Sequence, residues 1–256
     1  MSTPYLVFTL AAPIASFGTV AVGERRPTWD RPSKSQIIGL VAGCLGIERI
    51  EEERQRELAV SLGFAVRIDD PGHLATDYHT TQAAKDASIR KRIKAGFTVN
   101  TRAEELACDD LKTILSRREF RVGSHYTVAI WKTRVLAPAL DEIATALRAP
   151  VFVPFAGRKA NALSLPMAPR LVDAADVGEA FTVFDASEPP GQAIFKAGLR
   201  FRLRAICDRP VYADAADVPR QLVSRLEQRR DVPESRAKWW FGLRTEALLK
   251  PARGEH

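Results

Sequence analysis

Between Glu24 and Ile47 the chain passes from a cation- and proline-rich run, Glu-Arg-Arg-Pro-Thr-Trp-Asp-Arg-Pro, into a stretch from Ile37 to Ile47 in which no residue carries a charge. An uncharged stretch of this length needs cover, so the rest of the chain has to supply a surface for it. Ser33 and Gln36 have the spacing of a capping box, in which the Ser33 hydroxyl accepts from the Gln36 N–H and the Gln36 side chain accepts from the Ser33 N–H. A helix is therefore expected from Lys34. Gly39 and Gly43, four apart, leave bare backbone on one face and predict close packing onto a sheet, and Gly46 predicts the stop. Arg25, Arg26, Arg31 and Lys34 surround the start of this helix, where free N–H groups and the positive end of the dipole also favour an anion. The pattern predicts a phosphate site; it equally suits a buried helix with a solvated entry loop.

At 256 residues and 46% hydrophobic, the chain can bury a substantial core. A net charge of +7 and a pI near 9.5 favour a polyanionic partner. Cys44, Cys108 and Cys207 are odd in number and widely spaced, which indicates neither a disulfide framework nor a zinc site and fits a reducing cytoplasm. No basic leader precedes Tyr5, and no apolar run approaches the roughly 20 residues that span a bilayer, so a soluble protein without a membrane partner is expected. No Walker sequence occurs and no cofactor is implied.

Tyr5 to Ala11 predicts a buried central strand ended by Pro13, Glu48 to Ser61 a second helix or a continuation of the first, and Phe64 to Asp69 a strand closing at Asp70-Pro71-Gly72. Strands follow over Arg117 to Arg121 and His125 to Lys132, then a helix over Pro138 to Arg148 and a strand over Val151 to Phe155. This order, strand, helix, strand, strand, helix, strand, predicts an α+β fold with a ferredoxin-like, RNA-recognition-type domain over residues 1–170. Its rhythm is broken at about 77–115, where Lys85, Arg90, Lys91, Arg92 and Lys94 face only Asp86. That segment reads as a basic insertion, either a disordered loop or a protruding arm in which Phe97 to Val99 and Thr113 to Leu115 supply the sides of a hairpin. Residues 171–256 form a smaller β-rich C-terminal region, in which Leu199 to Cys207 alternates apolar residues with Arg200, Arg202 and Arg204. Val218 to Arg230 is expected to be helical, and Trp239-Trp240-Phe241 is an aromatic patch suited to a partner.

Five blocks carry a resemblance: Leu10 to Gly18, Arg25 to Ile47 with its Pro-Ser-Lys-Ser, Asp77-Tyr78-His79-Thr80, Arg118-Glu119-Phe120 with Tyr126 to Trp131, and Pro154 to Lys159. In these blocks and their order, the chain resembles the CasD family, a subunit of the type I-E CRISPR surveillance complex Cascade. The sequence departs from the family at Ala15 to Gly18, and no family signature follows Leu165. The resemblance implies a non-catalytic subunit that binds the 5′ handle of the CRISPR guide RNA (crRNA), contacts the backbone and large subunits, and meets target DNA only through the complex. It also implies a thumb at the inserted arm.

The expected RNA contacts are Arg25, Arg26, Arg31, Lys34 and Ser35 in the entry loop, Arg117 and Arg118 at a strand start, and Arg158 and Lys159 after Gly157, where backbone can approach a ligand. Trp29 and Phe155 suit base stacking or core packing. The rival is a metal-independent endoribonuclease using Tyr78-His79 or His125-Tyr126 as acid and base. No acid/base partner is legible beside either histidine, and no catalytic residue is assigned. His73, His79 and His125 lack metal-ligand spacing, and Asp69-Asp70 and Asp109-Asp110 read as turn or surface pairs, so no metal site is assigned.

Overall fold

One strand of 22 residues, β5 (Leu111–Lys132), changes neighbours halfway along its length. Its C-terminal half lies between β1 (Thr3–Ala15) and β3 (Leu62–Asp70), both antiparallel, with Leu6 and Phe64 flanking Ile130. Its N-terminal half pairs antiparallel with β4 (His73–Ala84) and parallel with the two-residue β2 (Arg25–Arg26). The computed structural model describes residues 2–21, 23–134, 138–186, 209–235, 238 and 240–250. Its main sheet runs β6–β1–β5–β3–β7–β9–β8, where β6 is Arg170–Ala174, β7 Val211–Asp214, β8 Val223–Ser235 and β9 Trp240–Leu249. The fold is a mixed α/β structure dominated by this antiparallel sheet.

Side-chain alternation sorts the central strands onto two buried faces. Leu6, Phe8, Phe64, Val66, Val128 and Ile130 face helices α1 (Lys34–Cys44), α2 (Glu52–Ser61) and α5 (Leu140–Arg148), which contribute Ile37, Val41, Leu58, Ile143 and Leu147. Tyr5, Val7, Ala65, Ala129 and Trp131 face the opposite way, onto Ala180, Phe181 and Phe184 of α6 (Val177–Ala186). The sheet centre is thus covered on both sides, whereas RNA-recognition folds present a sheet face to bases.

Several expectations are corrected. The first strand continues through Pro13 to Ala15, because the proline falls opposite Gly123, where φ is +72° and the ladder has no pair. The two strands expected around residue 120 are one, bent at that glycine. Val151 to Phe155 forms no strand beyond a Phe155–Ala162 bridge, and β6 takes the place beside β1. Gly43 faces open space; the buried side of α1 is instead Ile37, Ile38, Val41, Ala42 and Cys44. Thr113 to Leu115 is one side of the arm, as expected, but its partner is Thr80 to Gln82 and not Phe97 to Val99, since β4 pairs with β5 from His73 opposite Val122 to Ala84 opposite Leu111. The tip holds two helices, α3 (Asp86–Lys94) and α4 (Arg102–Leu106). Val218 to Arg230 is not helical: a short 3-10 turn leads into β8, whose alternate Arg229 and Asp231 are buried, a period-two signal that charge disguised. The expected boundary near residue 170 lies at β6, and the C-terminal strands continue the same sheet. Leu199 to Cys207 lies outside the described residues.

The C-terminal hairpin is held to the start of α1 by ions. Arg31, Arg229 and Arg244 surround the fully buried Glu246; Arg244 also bonds Asp231 at 2.6 Å and Asp214 at 2.8 Å, and Lys34 pairs with Asp214 at 2.5 Å. Burial alone would raise the Glu246 carboxyl, but Arg229, Arg244 and Arg31 outweigh it and hold it below the usual carboxylate value. A second set, buried at Arg67 and Asp69 and open to solvent at Asp185, pins α6: Arg67 forks onto Asp185 at 2.8 and 2.9 Å and bonds Asp69 at 2.7 Å. Burial would raise the Asp69 carboxyl, yet Arg67, with His125 and Thr127, holds it at about 2.

Two outcomes follow. Removing one partner from a buried ion cluster leaves charge uncompensated, so Glu246→Ala should cost about 3–5 kcal/mol in chemical denaturation. Asp69 has a folded pKa of about 2 against an ordinary 3.8, so its contribution is complete above pH 4 and is lost as pH falls from about 4 to about 2. Stability measured against pH should therefore fall less steeply across that window in Asp69→Asn than in the parent protein.

Candidate nucleic-acid interface

The parallel pairing of β2 with β5 sets Arg25 opposite Arg117 and Arg26 opposite Arg118, joining two of the three basic segments. The third arrives through Gly157. A Cβ on that glycine would lie 1.9 Å from the Ser16 carbonyl oxygen, and its φ is +89°, so only glycine lets the loop dock on the end of β1. Docked there, the Arg158 guanidinium stacks over the Phe120 ring at 4.7 Å. Burial and the neighbouring Arg118 charge both lower the Arg158 pKa, which places Arg118 and Arg158 in one electrostatic neighbourhood.

The two-residue period of the strands divides the arginines between faces. Arg26, Arg118, Phe120 and Arg158 share one face, with the exposed Lys159 beside them; among the described residues Arg26, Arg118 and Arg158 make no ion pair. Arg26 is braced by the Gly23 carbonyl at 2.6 Å and its own strand, which fixes its direction without neutralising it. On the reverse face Arg25 pairs with Glu119 at 2.8 Å, and Arg117 lies 5.9 Å from the half-exposed Tyr78 ring. Arg25 also holds the Glu119 carboxyl below its usual range, and Glu119 accepts from the Thr28 N–H.

Three residues expected at a phosphate site lie inside. Arg31 is 3% exposed and bound to Glu246, Asp30 and Glu227, while Lys34 is paired with Asp214. Ser35 is buried with its hydroxyl 3.0 Å from that of Ser33. The expected capping box forms, and an Asp231 oxygen accepts from the Lys34 N–H at 3.0 Å. A carboxylate of the chain itself therefore occupies the anion-attracting end of α1. Trp29 is packed between Arg31 and Arg229 against the core, so it serves packing, whereas Phe155 is 36% exposed.

His125 and Tyr126 are buried too. The His125 Nδ1 is 3.3 Å from Asp69, and the Tyr126 hydroxyl donates to the Asp30 carbonyl at 2.7 Å. On the arm, Lys85 pairs with Asp110, Lys91 with Asp109, and Arg92 donates to the Ala107 carbonyl, while Arg90 and Lys94 are exposed. Ser116 and Phe120 join the basic face although neither is among the expected RNA contacts. Their alternation with Arg117 and Glu119 is visible in the chain; the register that turns them toward Arg158 is not.

Residues 5–245 match the family described as CRISPR-associated protein (Cas_Cas5). The CRISPR system Cascade subunit CasD of Escherichia coli (strain K12) is 29% identical over 235 residues, covering 86% of this chain and 93% of that one. Among solved structures, a chain of a CRISPR RNA-guided surveillance complex aligns over 98% of this chain and 90% of its own, with a TM-score of 0.62 and 23% identity. A second, titled crystal structure of Cas protein, aligns over 96% and 95% with a TM-score of 0.57, also at 23% identity. A family match spanning nearly the whole sequence, on a fold shared with these structures, makes this chain a member of the Cas5 family of CRISPR-associated proteins.

Proposed function

We propose that this protein is a non-catalytic RNA-binding subunit of a type I-E Cascade complex in the cytoplasm, holding the 5′ handle of crRNA. The observation that carries this reading is the convergence of Arg26, Arg118 and Arg158 on one face, where none of them makes an ion pair among the described residues. Cations fixed on a strand pair and a docked loop suit the phosphates of a single strand, and the adjoining Phe155 suits an unstacked base. Similarity to CasD over most of both chains supports the assignment to Cascade. Arg25, Arg117 and Lys159 extend the contact; Arg31, Lys34 and Ser35 serve it indirectly, by fixing the loop that carries Arg26.

A ferredoxin-like core, which runs past residue 170 to the end of β6, is supported by the order β6–β1–β5–β3, with α1 and α2 joining β1 to β3 and α5 lying between β5 and β6. The β4–β5 ribbon with its helical tip is the thumb, and Arg90 and Lys94 present charge there to RNA or to the backbone subunit. Contact with the large subunit falls to other exposed surface, including Trp240, which is 59% exposed. Target DNA is reached through the complex.

Replacing Arg26, Arg118, Arg158 and Lys159 together by Ala should weaken binding to handle RNA. It should also flatten the dependence of log affinity on log salt by about 0.7 for each phosphate that is no longer neutralised. A titration by fluorescence anisotropy in EDTA reads both, and gel analysis of the same samples should show the RNA intact. An unchanged slope makes the face ordinary surface charge. Replacing residues 86–109 by a short Gly-Ser bridge should leave the melting temperature within a few degrees, because the tip buries little beyond Cys108 and Ser88. The same variant should fail to join the neighbouring subunit in pull-down.

A further inference from the structure

The β4–β5 ladder places one carboxylate among these cations. Asp77 stands directly opposite Arg118, which in turn stands opposite Arg26, so the three form a row across the strands on the face that also carries Arg158. Asp77 makes no ion pair with Arg118. Its Oδ2 lies 2.6 Å from His79 Nε2, and His79 is opposite Ser116 in the next row. The Asp77 side chain is 58% exposed and that of His79 40%. Glu119, by contrast, is engaged by Arg25 and Thr28 on the reverse face.

A surface built only to hold phosphates gains nothing from an exposed carboxylate, since it repels each phosphate brought near it. A carboxylate does accept hydrogen bonds from nucleobase amino groups, as acidic side chains do from cytosine N4. In single-stranded RNA the bases are splayed out and their Watson–Crick edges are open to such contacts. We propose that Asp77, set beside His79 on the β4–β5 ladder, reads the Watson–Crick edge of one base next to the phosphate held by Arg118. It selects a base carrying an amino group there and rejects uracil, whose edge presents carbonyl oxygens on either side of one N–H. The inference rests on the RNA-binding reading above and adds a residue that sets base preference.

Cytosine and uracil form the decisive pair, because they match in size and differ at this edge in an amino group against a carbonyl. Anisotropy titrations of the intact protein with eight-nucleotide oligocytidine and oligouridine should show tighter binding of oligocytidine by about fivefold, the lower end of a specific base contact. Asp77→Ala should bring the two affinities together, with oligouridine binding as well as or better than in the parent. Arg118→Ala should weaken both by the same factor and keep their ratio, and melting curves verify that each variant is folded. A ratio near one in the parent, or a parental ratio unchanged in folded Asp77→Ala, overturns the proposal and leaves RNA binding standing. Absence of binding to both oligonucleotides and to crRNA overturns the proposal and the RNA-binding reading together.

Discussion

A strand of 22 residues has two edges of backbone donors and acceptors to satisfy, and none of its described neighbours is long enough to do so alone. The solution is an exchange of partners near Gly123. Beyond it β5 is a central strand with apolar residues on both faces; before it, β5 is one side of an exposed ribbon. Because the two halves are one covalent strand, the ribbon inherits its direction from the buried half. The short β2 then has one open edge to join, beside Arg117 and Arg118, and that pairing assembles the basic face.

Charge is distributed in two ways that a net value of +7 does not distinguish. Arg31, Lys34, Arg229 and Arg244 are interior cations matched to Glu246, Asp214 and Asp231, and they work as a fastening between α1 and the C-terminal hairpin. Arg26, Arg118 and Arg158 make no ion pair among the described residues. The first group costs desolvation and compensates through geometry, with forked arginines and several bonds per carboxylate. The second keeps its field available to a partner. A basic sequence cluster is therefore ambiguous until its acidic partners are located, and for Arg31 and Lys34 those partners lie some two hundred residues away.

This distance is also why the sequence was legible in some places and not in others. The capping box at Ser33 and Gln36, the helices at residues 52 and 140, and the strand ending at Asp70 depend on neighbours within a few residues, and all are present. The period of β8 was hidden because its buried positions hold Arg229 and Asp231, which a reading by polarity assigns to solvent. The strand at Val151 to Phe155 failed because β-forming composition does not ensure a free edge, and β6 occupies the edge of β1. At the basic face the residue types were evident, while the division of Arg25 and Arg117 from Arg26 and Arg118 depended on a parallel register set by backbone pairing alone.

That division makes the ribbon sensitive to length in a way that substitution does not capture. Successive residues of β4 and β5 point to opposite sides, so inserting or deleting one residue between Gly123 and the arginines would turn Arg117 and Glu119 to the side now held by Arg118 and Phe120. A change of two would restore the faces but move every side chain one row along. The tip at residues 86–109, beyond the ladder, is free of this parity. Descendants of this chain can vary the reach of the arm by any number of residues at its end, and the shank only in steps of two.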